Sequence, residues 1–333
     1  MKKIFIRDIN QYLEREINEL FYLRDVTFST TDGGKWMDFH LIDVSGNVIG
    51  KCWSENMKEE YYNYPGKVVR VLGRIELYRD VYGIRIVDVR PVRDNEYDPG
   101  DFQIRLPDDE IDRLEQRLHE LINSITDNAY NALLQAVFTP GRIKRFVNLP
   151  GDGCFHHVYT GGWLQHTIAV AEIALFVKHL CSNNPVEVTK ADYNLLLTGA
   201  LLFDVGKINS YTQQRLAPSL TLRGRLVGHI QDSLIFISCM NNNLQGTLKV
   251  ADLTKLLHIV ASAHRSSEIK PMTKEAVIIS QANAISAAHA AYDELFYNFD
   301  KWHPEEDGKR HVYSKYFETD MVRSGKGDNT YVR

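Results

Sequence analysis

The chain has 333 residues, of which 44% are hydrophobic and 25% are charged. This length favours two domains over one, and the composition is that of an ordinary globular protein. The formal charge of −4 excludes a strongly basic coat for DNA but leaves local basic patches open. The four cysteines show no CxxC pairing, which argues against a disulfide framework or a thiolate zinc site.

In the amino-terminal segment MKKIFIRDINQYLERE, the charged residue Arg7 follows the initial lysines too closely to leave an apolar central region. The segment therefore does not resemble a signal peptide. No stretch approaches the roughly 18 apolar residues that a membrane span needs. We therefore expect a cytoplasmic protein in a reducing compartment, with no membrane partner.

Residues 21–92 are predicted to form β structure. The segments FYLRDVTFSTT, KWMDFHLIDV and GNVIGKCWS alternate or run apolar and are separated by turn residues. A short helical insert, SENMKEEYYNY, precedes two further strands, KVVRVLGRIELYRD and YGIRIVDVRPV. Three strands, a short helix and two strands are the order expected of an OB-type barrel, although periodicity alone leaves an SH3-like barrel open.

The pattern changes after the predicted barrel. Residues 93–108 are polar and contain Pro99, Gly100 and Pro107, which is typical of a linker, and from Asp109 the apolar spacing becomes helical. After Trp302 the apolar content falls. The predicted fold is α+β multidomain, with an all-β OB-type barrel in residues 1–95, a linker in 96–108, an all-α helical domain in 109–300 and a loosely ordered tail in 301–333.

Four polar residues stand out in apolar helical segments. His166 lies in a helix that is apolar almost all round, and Asp204 ends the run LLLTGALLF, with Gly206 as a predicted C-cap. His229 and His264 lie in two later helices. A carboxylate in such a run is costly unless it is paired, hydrogen-bonded or metal-bound, and carboxylate with imidazole suits Zn, Mn or Fe. Spacing alone leaves a shared site and four separate core residues both open.

Several segments, in order, resemble the HD superfamily of metal-dependent phosphohydrolases: HHVYTGGWLQHT, TGALLFDVGK, RGRLVGHI and ASAHRSSEIKPMTKEAVIISQANAIS. The closest resemblance is to the bacterial YhaM-type 3′–5′ exoribonucleases, which carry an OB domain before the HD domain. The resemblance implies an HD-type helical domain, single-stranded RNA or DNA as a partner, and a homo-oligomer. Only GGWLQHT favours a third class, a relaxase-like module.

The departures from the family pattern affect the ligands of one of the two metals. The doublet that names the superfamily is Phe203-Asp204 here, the closing aspartate is Asn283, and Ser286 and Arg265 replace two further residues. The resemblance implies that one metal uses His166, both doublet residues and the closing aspartate, so two of its four ligands are lost. The second metal uses Asp204, His229 and His264, which remain. We therefore expect at most one divalent metal, Mn, Zn or Fe.

Two functions follow from this loss. The first is a binding protein for single-stranded nucleic acid with an inactive or weak HD site, and the second is a 3′–5′ exonuclease that works through one metal. The predicted catalytic residues are Asp204, Lys207 and His157. Lys207, His156 and His157 are expected to hold phosphate as cations. Alternatively, Lys207 is a solvated cation at a helix end, and the two histidines are loop residues.

The last two barrel strands, residues 67–93, carry seven basic and three acidic residues, a local charge of +4. Cations along phosphates and rings stacked on bases hold single strands, so we predict nucleic-acid-binding residues here. They are Arg70, Arg74, Tyr78, Arg79, Tyr82 and Arg85. Trp36 and Trp53 are expected in the core, and Tyr78 and Tyr82 on the surface. The alternative is a solvated sheet face with the aromatics in the core.

Overall fold

A computed structural model describes residues 2–31, 34–78, 81–102, 105–152, 156–180, 190–212, 220–302 and 311–323. These residues form two compact units. The first contains the barrel together with residues 293–302 and 311–323, and the second contains residues 105–212 and 220–292. The predicted fold class, a β barrel followed by a helical domain, is confirmed.

Five strands form a closed barrel in the first unit. They are β1 (Glu16–Thr31), β2 (Gly34–Asp43), β3 (Gly46–Trp53), β4 (Lys67–Tyr78) and β5 (Val81–Pro91). Their order around the barrel is β1-β2-β3-β5-β4, and β4 closes it against β1. β3 and β5 are parallel, and the other neighbouring strands are antiparallel. This arrangement is OB-like. The predicted helical insert between β3 and β4 forms a short 3-10 helix, Glu59–Asn63.

The register of β2 decides which aromatic side chains enter the barrel core. Met37, Phe39 and Leu41 are buried, so Trp36 points to the opposite face, where its ring lies 5.4 Å from the ring of Trp53 on β3. Both tryptophans are half-buried, whereas Tyr82 packs against the barrel core. The prediction that Trp36 and Trp53 are core residues is wrong, because the period-2 alternation sends every second side chain outward.

The described residues after the barrel form ten helices. They are α1 (Asp108–Asn123), α2 (Asn128–Val137), α3 (Pro140–Val147), α4 (Gly162–Leu180), α5 (Tyr193–Leu202), α6 (Lys207–Ser210), α7 (Leu222–Leu226), α8 (His229–Asn243), α9 (Val250–Ser262) and α10 (Lys274–Trp302). Asp127 and Asp192 cap α2 and α5 by accepting hydrogen bonds from backbone N–H groups. Eight of the ten residues of α5 are buried, which places this helix in the centre of the helical unit.

The structure differs from the sequence predictions within the predicted linker and within the predicted tail. Phe102, within the predicted linker, is 1% exposed and packs with Leu20 and Tyr22. The described part of the predicted tail forms a hairpin of two strands, β6 (His311–Ser314) and β7 (Thr319–Val322). Among the described residues, no helix is long and apolar enough to cross a membrane.

Candidate metal centre

Three side chains from different parts of the helical unit converge on one point. His264 Nε2 lies 3.2 Å from Asp204 Oδ1, and His229 Nε2 lies 3.5 Å from the same oxygen. The two imidazole rings are 5.0 Å apart at their centres. The structure therefore brings together three of the four residues predicted as metal ligands.

Local packing explains why these residues meet. Asp204 follows the buried helix α5, and the Trp163 indole N–H donates to its backbone carbonyl. At Gly206 a side chain would collide with the backbone of His229 and Ser233 in α8, so only glycine allows this approach. The Gly206 N–H also donates to Ser233 Oγ over 2.8 Å. Phe203 is the C-cap of α5, and Gly206, with a helical φ of −65°, is the N-cap of α6, so the predicted C-cap role of Gly206 is wrong.

The three converging atoms fit a divalent metal. Asp204 Oδ1, His229 Nε2 and His264 Nε2 are buried and have no aligned hydrogen-bond partner among the described residues. Buried polar atoms rarely remain unpaired. Ligand bonds of about 2.0–2.1 Å to zinc place tetrahedral ligands about 3.3–3.4 Å apart, close to the 3.2 and 3.5 Å seen here. One carboxylate and two imidazoles suit Zn, Mn or Fe.

Lys207 orients the aspartate. Its Nζ lies 2.6 Å from Asp204 Oδ2 and also donates to the Gly151 carbonyl, and the lysine side chain is 4% exposed. Burial alone would raise the pKa of Asp204, but Lys207 and the two histidines hold it well below its ordinary value. Lys207 is therefore not a solvated cation at a helix end. Its ammonium group fixes Oδ2, which leaves Oδ1 facing the histidines.

His166 does not join this group. Its Nε2 lies 3.0 Å from Asn283 Oδ1, and its Nδ1 lies 2.9 Å from Ser286 Oγ. The Asn283 amide donates to the Ala263 carbonyl over 3.0 Å, which orients Oδ1 towards His166. The buried ring of Phe203 lies 5.7 Å from the rings of both His166 and His264. A hydrogen-bonded pair and a phenyl ring thus occupy the positions where the family resemblance implies metal ligands.

His156 and His157 lie beside His166 rather than beside Asp204. Their ring centres are 4.8 and 5.0 Å from that of His166. Burial lowers the pKa of His156 to about 4 and that of His157 to about 3, and nearby positive groups act in the same direction. These low pKa values favour neutral rings at pH 7 and argue against the two histidines as cations that hold phosphate, whereas the catalytic role of His157 stays a prediction.

These pKa shifts predict a stability that falls in mild acid. In the unfolded chain histidine takes up a proton near pH 6.5, whereas folded His156 and His157 stay neutral down to about pH 4 and 3. As the pH falls between these limits, each histidine lowers the free energy of unfolding by up to about 1.4 kcal/mol per pH unit. Urea unfolding in EDTA at pH 7 and pH 5 measures this loss. The His156→Gln/His157→Asn variant should lose less, and an equal loss would contradict the assignment.

The predicted nucleic-acid-binding residues of the barrel have mixed environments. Arg74 lies 3.8 Å from Glu14, and Arg85 lies 3.5 Å from Glu55 and 3.8 Å from Glu76, so acids partly neutralise both arginines. Arg70 lies opposite Arg90 in the register of β4 and β5. Tyr82 is half-buried against the core. The Tyr78 side chain and the whole of Arg79 lie outside the described residues.

Sequence reasoning missed one aromatic surface on the barrel. Trp36 and Trp53 lie side by side on β2 and β3, and Lys51 Nζ lies 4.8 Å from the centre of the Trp36 ring. Lys51 also pairs with Asp38 over 2.8 Å. In OB folds the face of strands 2 and 3 binds oligonucleotides. The alternation of Trp36 with Met37 and Asp38 was the signal that could have placed this ring outside.

The structure thus holds an OB-like barrel, followed along the chain by a helical unit with a histidine–aspartate cluster. Residues 163–288 match the HD domain family, whose members are metal-dependent. The chain is 23% identical to the 3′–5′ exoribonuclease YhaM of Bacillus subtilis, over 86% of this chain and 88% of that protein. YhaM of Oceanobacillus iheyensis is 26% identical over 82% and 84%. The predicted resemblance to the YhaM-type family is confirmed.

Proposed function

We propose that this chain is a slow, metal-dependent 3′–5′ exonuclease of single-stranded RNA that works through one metal position. The observation that carries this proposal is the convergence of three buried atoms, one each from Asp204, His229 and His264, that have no aligned hydrogen-bond partner among the described residues. The relatives named as exoribonucleases support RNA as the substrate. The resemblance to them extends over more than four fifths of the chain, so it includes the barrel as well as the helical unit.

Each residue of the cluster has a defined task in this proposal. Asp204, His229 and His264 hold the metal, which supplies positive charge for the phosphate oxygens as the phosphodiester is cleaved. Lys207 keeps the carboxylate in place. Two-metal hydrolysis clamps both the attacking and the leaving oxygen, so one metal stabilises only part of the developing charge. We therefore expect a rate well below that of a complete two-metal site.

A nuclease assay in manganese tests the proposal. Purified protein should release mononucleotides from the 3′ end of labelled single-stranded RNA, and EDTA should abolish the release. His229→Ala removes one of three protein ligands, so we expect it to lower activity at least about a hundredfold and to lower metal content. His119→Ala, on the exposed face of α1, is the matched control. Equal activity in His229→Ala and the natural chain would contradict the proposal.

The second candidate is a nucleic-acid-binding protein without hydrolysis. Its support is the His166–Asn283 hydrogen bond and the Phe203 ring, which lie where the family resemblance implies a metal. This candidate predicts binding of single strands and of one metal, with no nucleotide released in manganese, zinc or iron. The nuclease assay therefore separates the two candidates directly.

For the barrel, we propose that Trp36 and Trp53 stack on bases while nearby cations follow the phosphates. Each stacked ring contributes about 1–3 kcal/mol, so Trp36→Ala should weaken single-strand affinity about 5-fold to 150-fold. Fluorescence anisotropy with labelled RNA measures this change, and Tyr62→Ala, exposed elsewhere on the barrel, is the control. Charge reversal at Arg74 and Arg85 should flatten the salt dependence. Unchanged binding in Trp36→Ala would exclude the stacking role.

A further inference from the structure

His156, His157 and His166 form a three-imidazole cluster. The potential ligand atoms of the three rings all lie within 4.8 Å of one another. His156 Nδ1 and His157 Nδ1 are 3.3 Å apart, and both rings lie about 5 Å from His166. None of these histidines belongs to the Asp204 cluster, so the proposed nuclease function leaves the group unexplained.

The backbone is shaped to hold His157 in this cluster. His157 has a φ of 52°, in the left-handed region that residues other than glycine adopt infrequently, although asparagine, aspartate and histidine do so more often than the rest. Its carbonyl accepts a hydrogen bond from the Gly151 N–H over 2.8 Å. A Cβ atom on Gly151 would lie 2.5 Å from the Cβ of His157, so this packing requires glycine. Unfavourable conformations of this kind concentrate at functional sites.

We propose that His156, His157 and His166 form a second metal site, selective for zinc-type cations. Three neutral nitrogen donors suit Zn or Co better than Mn, which prefers oxygen ligands. Ligand bonds of about 2.0–2.1 Å give tetrahedral edges of about 3.3–3.4 Å, which matches the 3.3 Å between His156 Nδ1 and His157 Nδ1. A cation would replace the proton that these two nitrogens share.

The surroundings of His166 fit this role. Its two nitrogens face Asn283 Oδ1 at 3.0 Å and Ser286 Oγ at 2.9 Å. Metal binding would replace one of these two hydrogen bonds, while the other nitrogen would keep its partner and fix the ring, as in most histidine-ligated sites. Asn283 supplies a neutral oxygen where the family resemblance implies an aspartate. The site is therefore a neutral ligand set, distinct in charge from the Asp204 cluster.

Metal titration of the full chain tests this site apart from catalysis. Protein stripped with a chelator should take up two zinc equivalents but only one manganese equivalent, measured by elemental analysis after desalting. His156→Gln/His157→Asn should retain one zinc, because asparagine accepts the left-handed conformation at position 157 and lacks the imidazole. Asp204→Asn/His264→Ala should also retain one zinc but lose the manganese. Cobalt bound to this second variant should show the visible bands of a low-coordinate, nitrogen-rich centre.

The matched control is His119→Gln/His179→Gln, which removes two exposed histidines of the same unit and should keep both zinc equivalents. Circular dichroism and thermal melting check that each variant is folded. The proposal is overturned if Asp204→Asn/His264→Ala binds no zinc, or if folded His156→Gln/His157→Asn still binds two. If the natural chain binds both zinc equivalents but has no nuclease activity, that result would count against the proposed function alone.

Discussion

The double variant Phe203→His/Asn283→Asp is expected to bind a second manganese ion and to degrade single-stranded RNA at least about tenfold faster than the natural chain. The family resemblance implies that the missing metal uses His166, both residues of the doublet and the closing aspartate. His166 and Asp204 are present and buried at those positions. The two substitutions restore the other two ligands, one imidazole and one carboxylate, and carboxylate favours manganese.

The same variant should depend on metal for its stability. Phe203 is fully buried, so a histidine there becomes a buried polar group that needs a partner. Asn283 Nδ2 now donates to the Ala263 carbonyl over 3.0 Å, and an aspartate oxygen in its place would repel that carbonyl. Without metal we therefore expect a lower melting temperature than in the natural chain. A metal that binds only the folded state should recover this loss.

Thermal melting with and without manganese, elemental analysis and the nuclease assay together measure the outcome. Phe203→Leu, which stays apolar, is the control and should gain neither metal nor activity. Each single substitution restores only three of the four ligands, so we expect a smaller gain from either alone. If the folded double variant binds no second manganese ion and degrades RNA no faster, then residues other than Phe203 and Asn283 also prevent metal binding at this position.

The Asp204 cluster was largely predictable from sequence. A carboxylate that ends a run as apolar as LLLTGALLF is costly unless it has a partner, and the family resemblance implied that it shares one metal with His229 and His264, which spacing alone had left open. The barrel was predictable as well, because its strands alternate and its turns carry Gly and Asp. Both predictions rest on sequence motifs and patterns that can be read without knowing the distances between elements.

Other features depend on distances between elements, which sequence does not contain. The lowered pKa values of His156 and His157 follow mainly from burial of their rings in the folded chain. The outward direction of Trp36 follows from the register of β2 against β3. The hydrogen bond between His166 and Asn283 joins residues 117 positions apart. These contacts decide which groups are charged, which rings are exposed and which metal position is closed.

Lys207→Met is expected to lower the free energy of unfolding by about 3–5 kcal/mol in EDTA, because it leaves the Asp204 carboxylate buried without its cation. The lysine side chain is 4% exposed and the aspartate side chain 1%, so water cannot replace the lost partner. Urea unfolding at pH 7 measures the change. Lys144→Met, on an exposed position of α3, should change stability by no more than about 0.5 kcal/mol.

Manganese should then stabilise Lys207→Met more than the natural chain. Lys207 neutralises Asp204 through Oδ2, whereas the metal would neutralise it through Oδ1. Each positive charge therefore contributes more to the stability of the folded chain when the other is absent. Lys207→Met/Asp204→Asn removes both charges and should recover part of the lost stability while losing the manganese effect, as coupled neighbours do in a double-mutant cycle. If manganese stabilised all three proteins equally, the ion would bind away from Asp204, and the assignment of this cluster as the metal centre would be wrong.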